Sequence, residues 1–488
     1  MSKSAKAGSQ SIMDEPVIQS SRANEALQRA VSHATEYLNG LDERSVAATV
    51  MLDELRARLD GALPDAGMNP CQVIDELVAN TAGGHLGSAG GRFFAWVIGG
   101  SLPSALAADW LTSAWDQNAG LYACGPAAAV VEEIAGAWLK DLLGLPSEAS
   151  FAFTSGCQLA HFTCLAAARH AVLRHAGWDV NADGLFGSPQ VRIISTDQRH
   201  ATVDRALRFL GFGNRSILTV PTDTNGEMDI AAFQSVLATM ASPTIVILNA
   251  GDLNIGAVDP FERIVPLAKA AGAWVHIDGA FGLMARASRS KRPLLAGIEL
   301  ADSWATDGHK WLNVPYDSGL AFVRDRAAHR ESMTASASYI AADGKARDQL
   351  DWNPEWSRRG RGFAIYAALR ELGRTGLENL VDRCCAHAHA LVTSIGALDG
   401  AEILWKPSLN QGLVRFLDSR AGATDKDHEA RTESVIAAVN ASGEAFFSGS
   451  TWKGKRAMRV SVVNWRTSEV DVRRTIAAIA SVLAVNKH

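Results

Sequence analysis

An acid and a lysine follow two predicted strands in the middle of the chain. Asp278 ends the apolar run 274–277, and Lys310 lies between the predicted strands 303–306 and 319–323. A lysine amine forms a Schiff base with an aldehyde, and a carboxylate keeps a pyridine nitrogen protonated so that the ring can accept electrons. The two residues therefore suit pyridoxal 5'-phosphate (PLP) as a cofactor. Each has a plainer interpretation when taken alone, because a single lysine is usually a surface charge and an acid after a strand is often a turn or a helix cap.

A second group of candidates lies where the predicted strand 151–153 runs into a helix. Exposed N–H groups and the helix dipole at such a junction can hold a phosphate. Many α/β turns look the same, so this motif is weak by itself. The candidate cofactor-binding residues here are Ser155, Gly156, Cys157 and Gln158.

Three further polar residues are candidates for holding the cofactor or the substrate. His200 follows the strand that ends at Ser195, and it could stack on a flat aromatic ring or simply cap a helix. The amide of Asn254 could hold a ring substituent or a phosphate, or it could bond its own backbone. Arg459 could bind a substrate α-carboxylate bidentately, although a surface arginine in a strand is the commoner case.

Three aromatic residues after the glycine-rich segment 84–92 have two interpretations. Phe93, Phe94 and Trp96 either pack in the core or form one wall of a substrate pocket. The second interpretation favours a substrate with an apolar or aromatic side chain. The glycine-rich segment itself has neither the GxGxxG order nor a strand directly before it, so it does not predict a nucleotide site.

Composition narrows the class of protein. The chain has 488 residues, of which 47% are hydrophobic and 20% charged, and this is ordinary for a globular enzyme. The net charge of −5 gives no reason to expect nucleic acid or an anionic membrane as a partner. The six cysteines form neither a CxxC pair nor a Cys/His metal spacing, and we see neither a secretory signal nor an apolar run long enough to span a bilayer. We therefore expect a cytoplasmic protein with reduced thiols and no metal site.

The alternation of strands and helices from about residue 150 predicts an α/β fold. Strands rich in Val, Ile and Leu indicate a mostly parallel sheet that is covered on both faces, and ligands gather at the carboxyl ends of such strands. We predict an N-terminal helical arm over residues 1–89, a large domain over 90–362 and a smaller α+β domain over 363–488. The arm is too thin to form its own core, so we expect it to pack elsewhere, such as on a second copy of the chain.

Several motifs together resemble the group II PLP-dependent amino-acid decarboxylases, which include the aromatic-L-amino-acid and glutamate decarboxylases. The resemblance runs from about Leu38 to the C-terminus. The motifs that carry it are Thr154-Ser155-Gly156 before a long helix, Asp197-Gln198-Arg199-His200, His276-Ile277-Asp278-Gly279-Ala280, His309-Lys310-Trp311, and Arg459 within 458–461. The His-Lys-Trp element at this distance from the acid is the most specific of them.

The resemblance implies a role for each matching residue. Lys310 is similar to the Schiff-base lysine, Asp278 to the partner of the pyridine nitrogen, and His200 to a histidine that stacks on the ring and assists proton transfer. Ala280 matches a position under the ring, and Arg459 matches an arginine that meets the substrate carboxyl in some members. Positions on the phosphate side match Gly156, Cys157, Gln158 and His309.

The resemblance also implies an architecture. It predicts PLP-dependent transferase fold type I, with a seven-stranded-type sheet in the large domain. It further predicts a homodimer whose active sites lie at the subunit interface and whose N-terminal arm is swapped over the partner.

The implied reaction is decarboxylation of an L-amino acid to its amine and CO2, through a Schiff base on Lys310 and a quinonoid that Asp278 stabilises. The mobile loop of this family usually carries a tyrosine that protonates Cα, but residues 340–352 contain none and Tyr339 is the nearest candidate. The residues therefore leave three alternatives open: an aldehyde synthase that couples decarboxylation to oxidative deamination, a C–C lyase or aldolase, and a non-catalytic PLP-binding homologue.

Overall fold

The structure is a computed structural model that describes residues 20–241, 243–334 and 346–485. The chain divides into two units, Met1–Gly87 and Ser88–His488. The limits of the three predicted domains stay a prediction. Within the described residues, every helix is too short or too polar to cross a bilayer.

The described part of the first unit, from residue 20 onward, contains three helices. They are α1 (Ser20–Asn39), α2 (Leu52–Leu59) and α3 (Pro70–Thr81), with α1 packed along α3. Where the apolar spacing predicted helix from about residue 24 to 63, the chain leaves α1 at Asn39 and runs through turns before α2 begins. No residue of α2 or α3 is buried within the unit, so these helices have no core of their own.

The second unit is built on a seven-stranded sheet. Its strands are β1 (Ser150–Thr154), β2 (Arg192–Thr196), β3 (Ile217–Val220), β4 (Thr244–Asn249), β5 (Trp274–Asp278), β6 (Ser303–Asp307) and β7 (Gly319–Val323). The spatial order is β1-β7-β6-β5-β4-β2-β3. Strands β2 to β6 pair in parallel, whereas β7 is antiparallel to both β1 and β6. Consequently β1, β2, β4, β5 and β6 all end at the same edge, and the prediction of a mostly parallel sheet is confirmed.

Helices cover both faces of this sheet. The helices of this part are α4 (Pro103–Trp115), α5 (Pro126–Leu143), α6 (Cys157–His175), α7 (Val180–Asp183), α8 (Ala201–Phe209), α9 (Ile230–Leu237), α10 (Phe261–Ala270) and α11 (Arg326–Met333). Successive residues of a strand point to opposite faces. In β4, Ile245 and Ile247 pack in the cluster beneath α6 and α8, while Val246 and Leu248 pack in the cluster on the other face.

A long helix and a second sheet complete the chain. Helix α12 (Gly362–Gly396) is interrupted at Gly373, whose φ of 58° lies in the left-handed region. The second sheet is antiparallel, in the order β10-β11-β9-β8, and α13 and α14 pack beside it. Its elements are β8 (Ala401–Trp405), β9 (Gln411–Phe416), α13 (Asp425–Ser442), β10 (Ser448–Trp452), β11 (Lys455–Ser461) and α14 (Glu469–Val485). This smaller α+β part of the chain confirms the predicted fold class.

Candidate active site

A cavity of about 160 Å³ opens at the carboxyl edge of the large sheet. Five residues that the sequence singled out line it together. They come from the ends of β2, β5 and β6 and from the segment before α4. These residues are Trp96, His200, Asp278, Ala280 and Lys310.

Lys310 is held by an acid three residues before it. Its Nζ lies 3.0 Å from Oδ2 of Asp307, the last residue of β6. The other carboxylate oxygen of Asp307 accepts the backbone N–H of Cys157. Burial alone would lower the pKa of Lys310, but its surroundings, with Asp307 first and Asp278 among them, together outweigh burial and raise it. Asp307 was not predicted as a site residue, although its place at the end of β6 was a signal for it.

The backbone around Lys310 is enclosed on two sides. A Cβ at Gly99 would lie 2.2 Å from the carbonyl oxygen of Lys310, so only glycine allows this approach. Asn313, with a φ of 55°, donates from Nδ2 to the carbonyl of Trp311 at 2.9 Å and accepts at Oδ1 from the backbone N–H of Trp465, also at 2.9 Å. The lysine segment is therefore fixed by backbone contacts as well as by its own side chains.

Asp278, the last residue of β5, is buried and carries a negative charge. Its Oδ1 accepts the N–H of Ala280 at 3.1 Å, and its Oδ2 lies 3.4 Å from Nε2 of His161. Burial raises the pKa of a carboxyl group, but His161, His200 and the Ala280 N–H together hold the pKa of Asp278 well below its usual range. The side chain is therefore ionised at neutral pH.

His200 caps the N-terminus of α8. Its Nδ1 accepts the backbone N–H of Thr202 at 3.3 Å and lies 2.7 Å from the Thr202 hydroxyl. Partial burial of the ring lowers the pKa of His200, although the Asp278 charge opposes this shift. The ring is therefore neutral at neutral pH, with its proton on Nε2, because Nδ1 acts as an acceptor.

The predicted phosphate side lies at the start of α6. This helix begins at Cys157, after Gly156, which has no side chain to cap it; the Cys157 N–H is bonded by Asp307 instead. His309 lies close enough that a Cβ at Gly156 would be 3.6 Å from its Cε1. His309 accepts the backbone N–H of Ser318 at Nδ1 and stacks on Tyr316, with 4.1 Å between ring centroids. None of the five phosphate-side candidates lines the cavity itself: Ser155, Gly156, Cys157, Gln158 and His309. The Gln158 amide oxygen accepts a hydrogen bond from Arg205.

Two other predicted polar residues lie outside the cavity. Asn254 bonds Ser450 of β10 through its amide oxygen, at 2.5 Å. Arg459 is buried behind the cavity wall, where Nη1 donates to the carbonyl of Leu253 at 3.2 Å. Within the described residues the Arg459 Nε has no partner, and burial lowers the pKa of this side chain to about 10.

The three predicted aromatic residues lie in different environments. Phe93 stacks on Phe446, and Phe94 packs on Phe447 in the core, so neither lines the cavity. Trp96 alone lines it, with half of its surface exposed. The remaining predicted residue, Tyr339, lies outside the described residues.

Several lining residues were missed from the sequence. Asn249 is the last residue of β4, lies in register with Asp278, and donates from Nδ2 to Thr196 at 3.1 Å. Its position at a strand end was a usable signal. The other missed residues lie in loops, where no periodicity marks them, and they include Gln198, Asp252, Leu253 and Phe281.

A model of the pyridoxal-dependent decarboxylase conserved domain matches residues 53–417, and the chain belongs to this family. It is 27% identical to an aromatic-L-amino-acid decarboxylase of Bacillus atrophaeus over 469 residues, which are 94% of this chain and 95% of the relative. It is 29% identical over 383 residues to an L-2,4-diaminobutyrate decarboxylase of Rhizobium meliloti, covering 77% and 74% of the two chains. A crystal structure of Oryza sativa TDC with PLP and tryptamine matches 97% of this chain and 100% of its own, at a TM-score of 0.90 and 24% identity.

These similarities confirm fold type I. The protein is an enzyme of the PLP-dependent carboxy-lyase class, and its cofactor is PLP. The cavity fits that cofactor, because it places a lysine amine and an ionised carboxylate in one enclosure, and Asp307 joins that lysine to the first N–H of α6.

Proposed function

We propose that the enzyme decarboxylates an L-amino acid with an aromatic or large apolar side chain to the corresponding amine. The observation that carries this proposal is Trp96, a half-exposed indole that lines the same cavity as Lys310 and Asp278. An exposed indole beside a reactive lysine offers apolar contact area to a flat side chain. Phe281 and Leu253 add apolar surface to the same wall.

PLP supplies the electron sink that accepts the pair released when the bond between Cα and the carboxylate breaks. Lys310 would hold the aldehyde carbon through its amine. Asp278 would face the ring nitrogen and keep a proton on it, since its own pKa is depressed. The first turn of α6 and the His309 ring would hold the phosphate.

The remaining proposed roles concern the substrate and the proton. Decarboxylation replaces the carboxylate on Cα by one proton. His200 carries a proton on Nε2 at the cavity, which makes it a candidate for that transfer. Arg459 has an unpaired Nε behind Leu253, and a guanidinium with a free N–H suits a substrate carboxylate.

The charges of the cavity wall favour an uncharged side chain on the substrate. Asp252 also lines the cavity, but its oxygens already accept the backbone N–H groups of Asn254, Ile255 and Ala257. Lys310 is the one cationic side chain that lines the cavity within the described residues. A second carboxylate or ammonium on the substrate would therefore lack a free partner of opposite charge.

We also propose that the enzyme works as a homodimer. Helices of the first unit expose large apolar side chains that the unit itself leaves uncovered; Leu27, Val31 and Leu77 are between 46% and 62% exposed. Burying such side chains against a second copy would stabilise both chains. A cytoplasmic location stays a prediction.

The test is a panel of L-amino acids supplied to the PLP-loaded enzyme. We expect tryptophan, phenylalanine and tyrosine to release CO2 and amine in equal amounts, at a higher kcat/KM than glutamate or 2,4-diaminobutyrate. Trp96→Ala should lower kcat/KM for the aromatic substrates, whereas replacing Trp115, an equally exposed indole on α4, should not. A preference for diaminobutyrate or glutamate would overturn the proposed substrate class.

A second candidate reaction is supported by the sequence of the loop. Residues 340–352 contain no tyrosine that could protonate Cα. An enzyme that protonates Cα slowly exposes its intermediate to O2, which leads to an aldehyde, ammonia and hydrogen peroxide. Aldehyde and peroxide in equal amounts, with no amine, would establish that reaction in place of simple decarboxylation.

The lysine has its own test. Lys310→Ala should abolish the visible absorbance band of the Schiff base and the covalent attachment of the cofactor to the chain on borohydride treatment. Lys426→Ala, at an exposed position on α13, is the matched control and should leave both intact.

A further inference from the structure

A chain of buried polar side chains runs from the core of the large sheet to Asp278. Trp274 donates from Nε1 to the Ser303 hydroxyl at 2.9 Å, and that hydroxyl lies 2.9 Å from Nδ1 of His276. His276 Nε2 lies 2.9 Å from His161 Nδ1, and His161 Nε2 lies 3.4 Å from Oδ2 of Asp278. All five side chains are buried, and His161, His276 and Ser303 are completely so.

The hydrogen bonds that link Trp274 to Asp278 can all be donated in one direction, toward Asp278. A carboxylate only accepts, so His161 Nε2 carries the hydrogen that points toward Asp278. His161 Nδ1 is then an acceptor and takes the Nε2 hydrogen of His276. His276 Nδ1 in turn accepts from Ser303, whose oxygen accepts from Trp274. Every link then has one donor and one acceptor. Burial also lowers the pKa of His276 well below its usual range, and the neighbouring His161 adds to this.

The opposite direction is unfavourable. It would aim the lone pair of His161 Nε2 at the Asp278 carboxylate, and two acceptors repel each other in a buried site. Cys157 also approaches His161 Nε2, with its Sγ at 3.3 Å. Burial first, and then the charges of Asp307 and Asp278, raise the pKa of Cys157 well above its usual range. The sulfur is therefore a neutral thiol that competes only weakly with the carboxylate for the imidazole hydrogen.

We propose that His161 and His276 are positioning residues which, with Ser303 and Trp274, form a relay that keeps Asp278 ionised and oriented toward the ring nitrogen of the cofactor. The inference rests on the role proposed above for Asp278. A hydrogen bond donated to the carboxylate makes it less basic. A proton shared between Asp278 and the ring nitrogen then stays on the ring, where it makes the ring a better electron sink.

Other charges act on the same carboxylate, and any change with pH must be assigned against them. Asp278 interacts electrostatically with His161 and Cys157 of α6, with His200 at the start of α8, and with Lys310. His161 is the one among them that combines complete burial with a further hydrogen-bond partner, His276. The relay therefore predicts a larger effect on the ring nitrogen from His161 than from a histidine elsewhere on α6.

The test uses holoenzyme loaded with PLP that carries ¹⁵N in its ring. In the wild-type enzyme we expect the ¹⁵N chemical shift of a protonated pyridine. In His161→Leu the shift should move toward the unprotonated value, and the pH at which the visible band of the cofactor changes should move with it. kcat should fall on the order of 10-fold, with a smaller change in KM. His161→Gln, which keeps one donor and one acceptor, should restore part of the shift.

His170→Leu is the matched control, because His170 is a buried histidine of α6 that contacts Glu331 instead of Asp278. It should leave the ¹⁵N shift unchanged. If His161→Leu does not fold, Ser303→Ala removes only one hydroxyl at the far end of the relay and should move the shift less, in the same direction.

The proposal is overturned if the folded variants of His161 and Ser303 all keep the wild-type ¹⁵N shift and cofactor titration. This outcome differs from a failure of the proposed function. An enzyme that shows the relay effect on the ring nitrogen but releases neither amine nor CO2 would refute the reaction and leave the relay standing. Normal decarboxylation with an unmoved ring nitrogen would refute only the relay.

Discussion

Gly99 is the position where the smallest substitution should do the most damage to the lysine segment. In Gly99→Ala the added Cβ would lie 2.2 Å from the carbonyl oxygen of Lys310 and 3.1 Å from that of His309. A carbon and a carbonyl oxygen in contact are about 3.3 Å apart, so on the order of 1 Å must be absorbed by movement of backbone. The lysine segment resists such movement, because Asn313 bonds it to Gly100 and to Trp465.

Two consequences follow for Gly99→Ala, with different magnitudes. Overpacking of this kind costs about 1–3 kcal/mol of stability, which should appear as a lower melting temperature. A displacement of about 1 Å at a reacting group can cost about 100-fold in rate, so turnover should fall far more than stability does. We therefore expect a folded variant that still binds PLP but decarboxylates about 100-fold more slowly.

The assay combines thermal unfolding, the absorbance of bound PLP, and CO2 release under saturating substrate. Gly213→Ala is the matched control, because a Cβ there has no atom within 4 Å and the backbone is in a region open to alanine. It should behave as the wild-type enzyme does. A Gly99→Ala variant with unchanged melting temperature, cofactor absorbance and turnover would refute the claim that this glycine positions Lys310.

Three further predictions concern side chains outside this segment. Arg358→Met leaves the fully buried Glu132 without its partner 2.7 Å away and should lower the free energy of unfolding by about 3–5 kcal/mol, measured by denaturant titration. Adding Glu132→Gln should recover part of the loss. An unshifted denaturation midpoint in the single variant would contradict this. Burial lowers the pKa of His329 to about 3. Below about pH 6.5 the unfolded chain therefore binds a proton at this histidine and the folded chain does not. As the pH is lowered from 6 to 4, the free energy of unfolding should fall by up to about 1.4 kcal/mol per pH unit. Denaturation midpoints measured against pH should fall less steeply in His329→Asn, but not in a variant that replaces the exposed His389. Equal slopes in both variants would refute the assignment of this pH dependence to His329. Arg459→Met should lower kcat/KM about 10- to 100-fold, mainly through KM, and an unchanged KM would remove the proposed contact with the substrate carboxylate.

The sheet and its edge could be predicted from the sequence because their signals are local. The apolar runs at 274–277 and 303–306 appear as strands β5 and β6, each one residue longer and each ending in an acid. Parallel strands bring their carboxyl ends together whatever the loops do. That geometry is why Asp278 and Lys310 line one cavity although they lie far apart in the chain.

The rest of the site depends on tertiary packing and could not be predicted. His161 lies within an apolar helix, where a lone histidine is usually an ordinary core residue. Only the packing of α6 over β5 brings its ring to Asp278. Asn254 was a candidate from the sequence, but the geometry of its loop, which no local pattern shows, turns its amide toward Ser450. Phe94 was ambiguous for a similar reason, since its contact with Phe447 joins segments far apart in sequence.

The two acids near Lys310 differ in the partners that they already have, and this difference assigns their roles. Asp307 is fully engaged, because it accepts the Cys157 N–H, pairs with Lys310 and lies 3.4 Å from the His309 ring. Within the part of the chain that the structure describes, Asp278 accepts the Ala280 N–H and meets the His161 ring, so some lone-pair positions of its carboxylate stay open. A protonated ring nitrogen would therefore find an ionised oxygen with room for it at Asp278 and not at Asp307. The relay through His161 adds to this difference, because it supports the charge of the acid that is still free to bind.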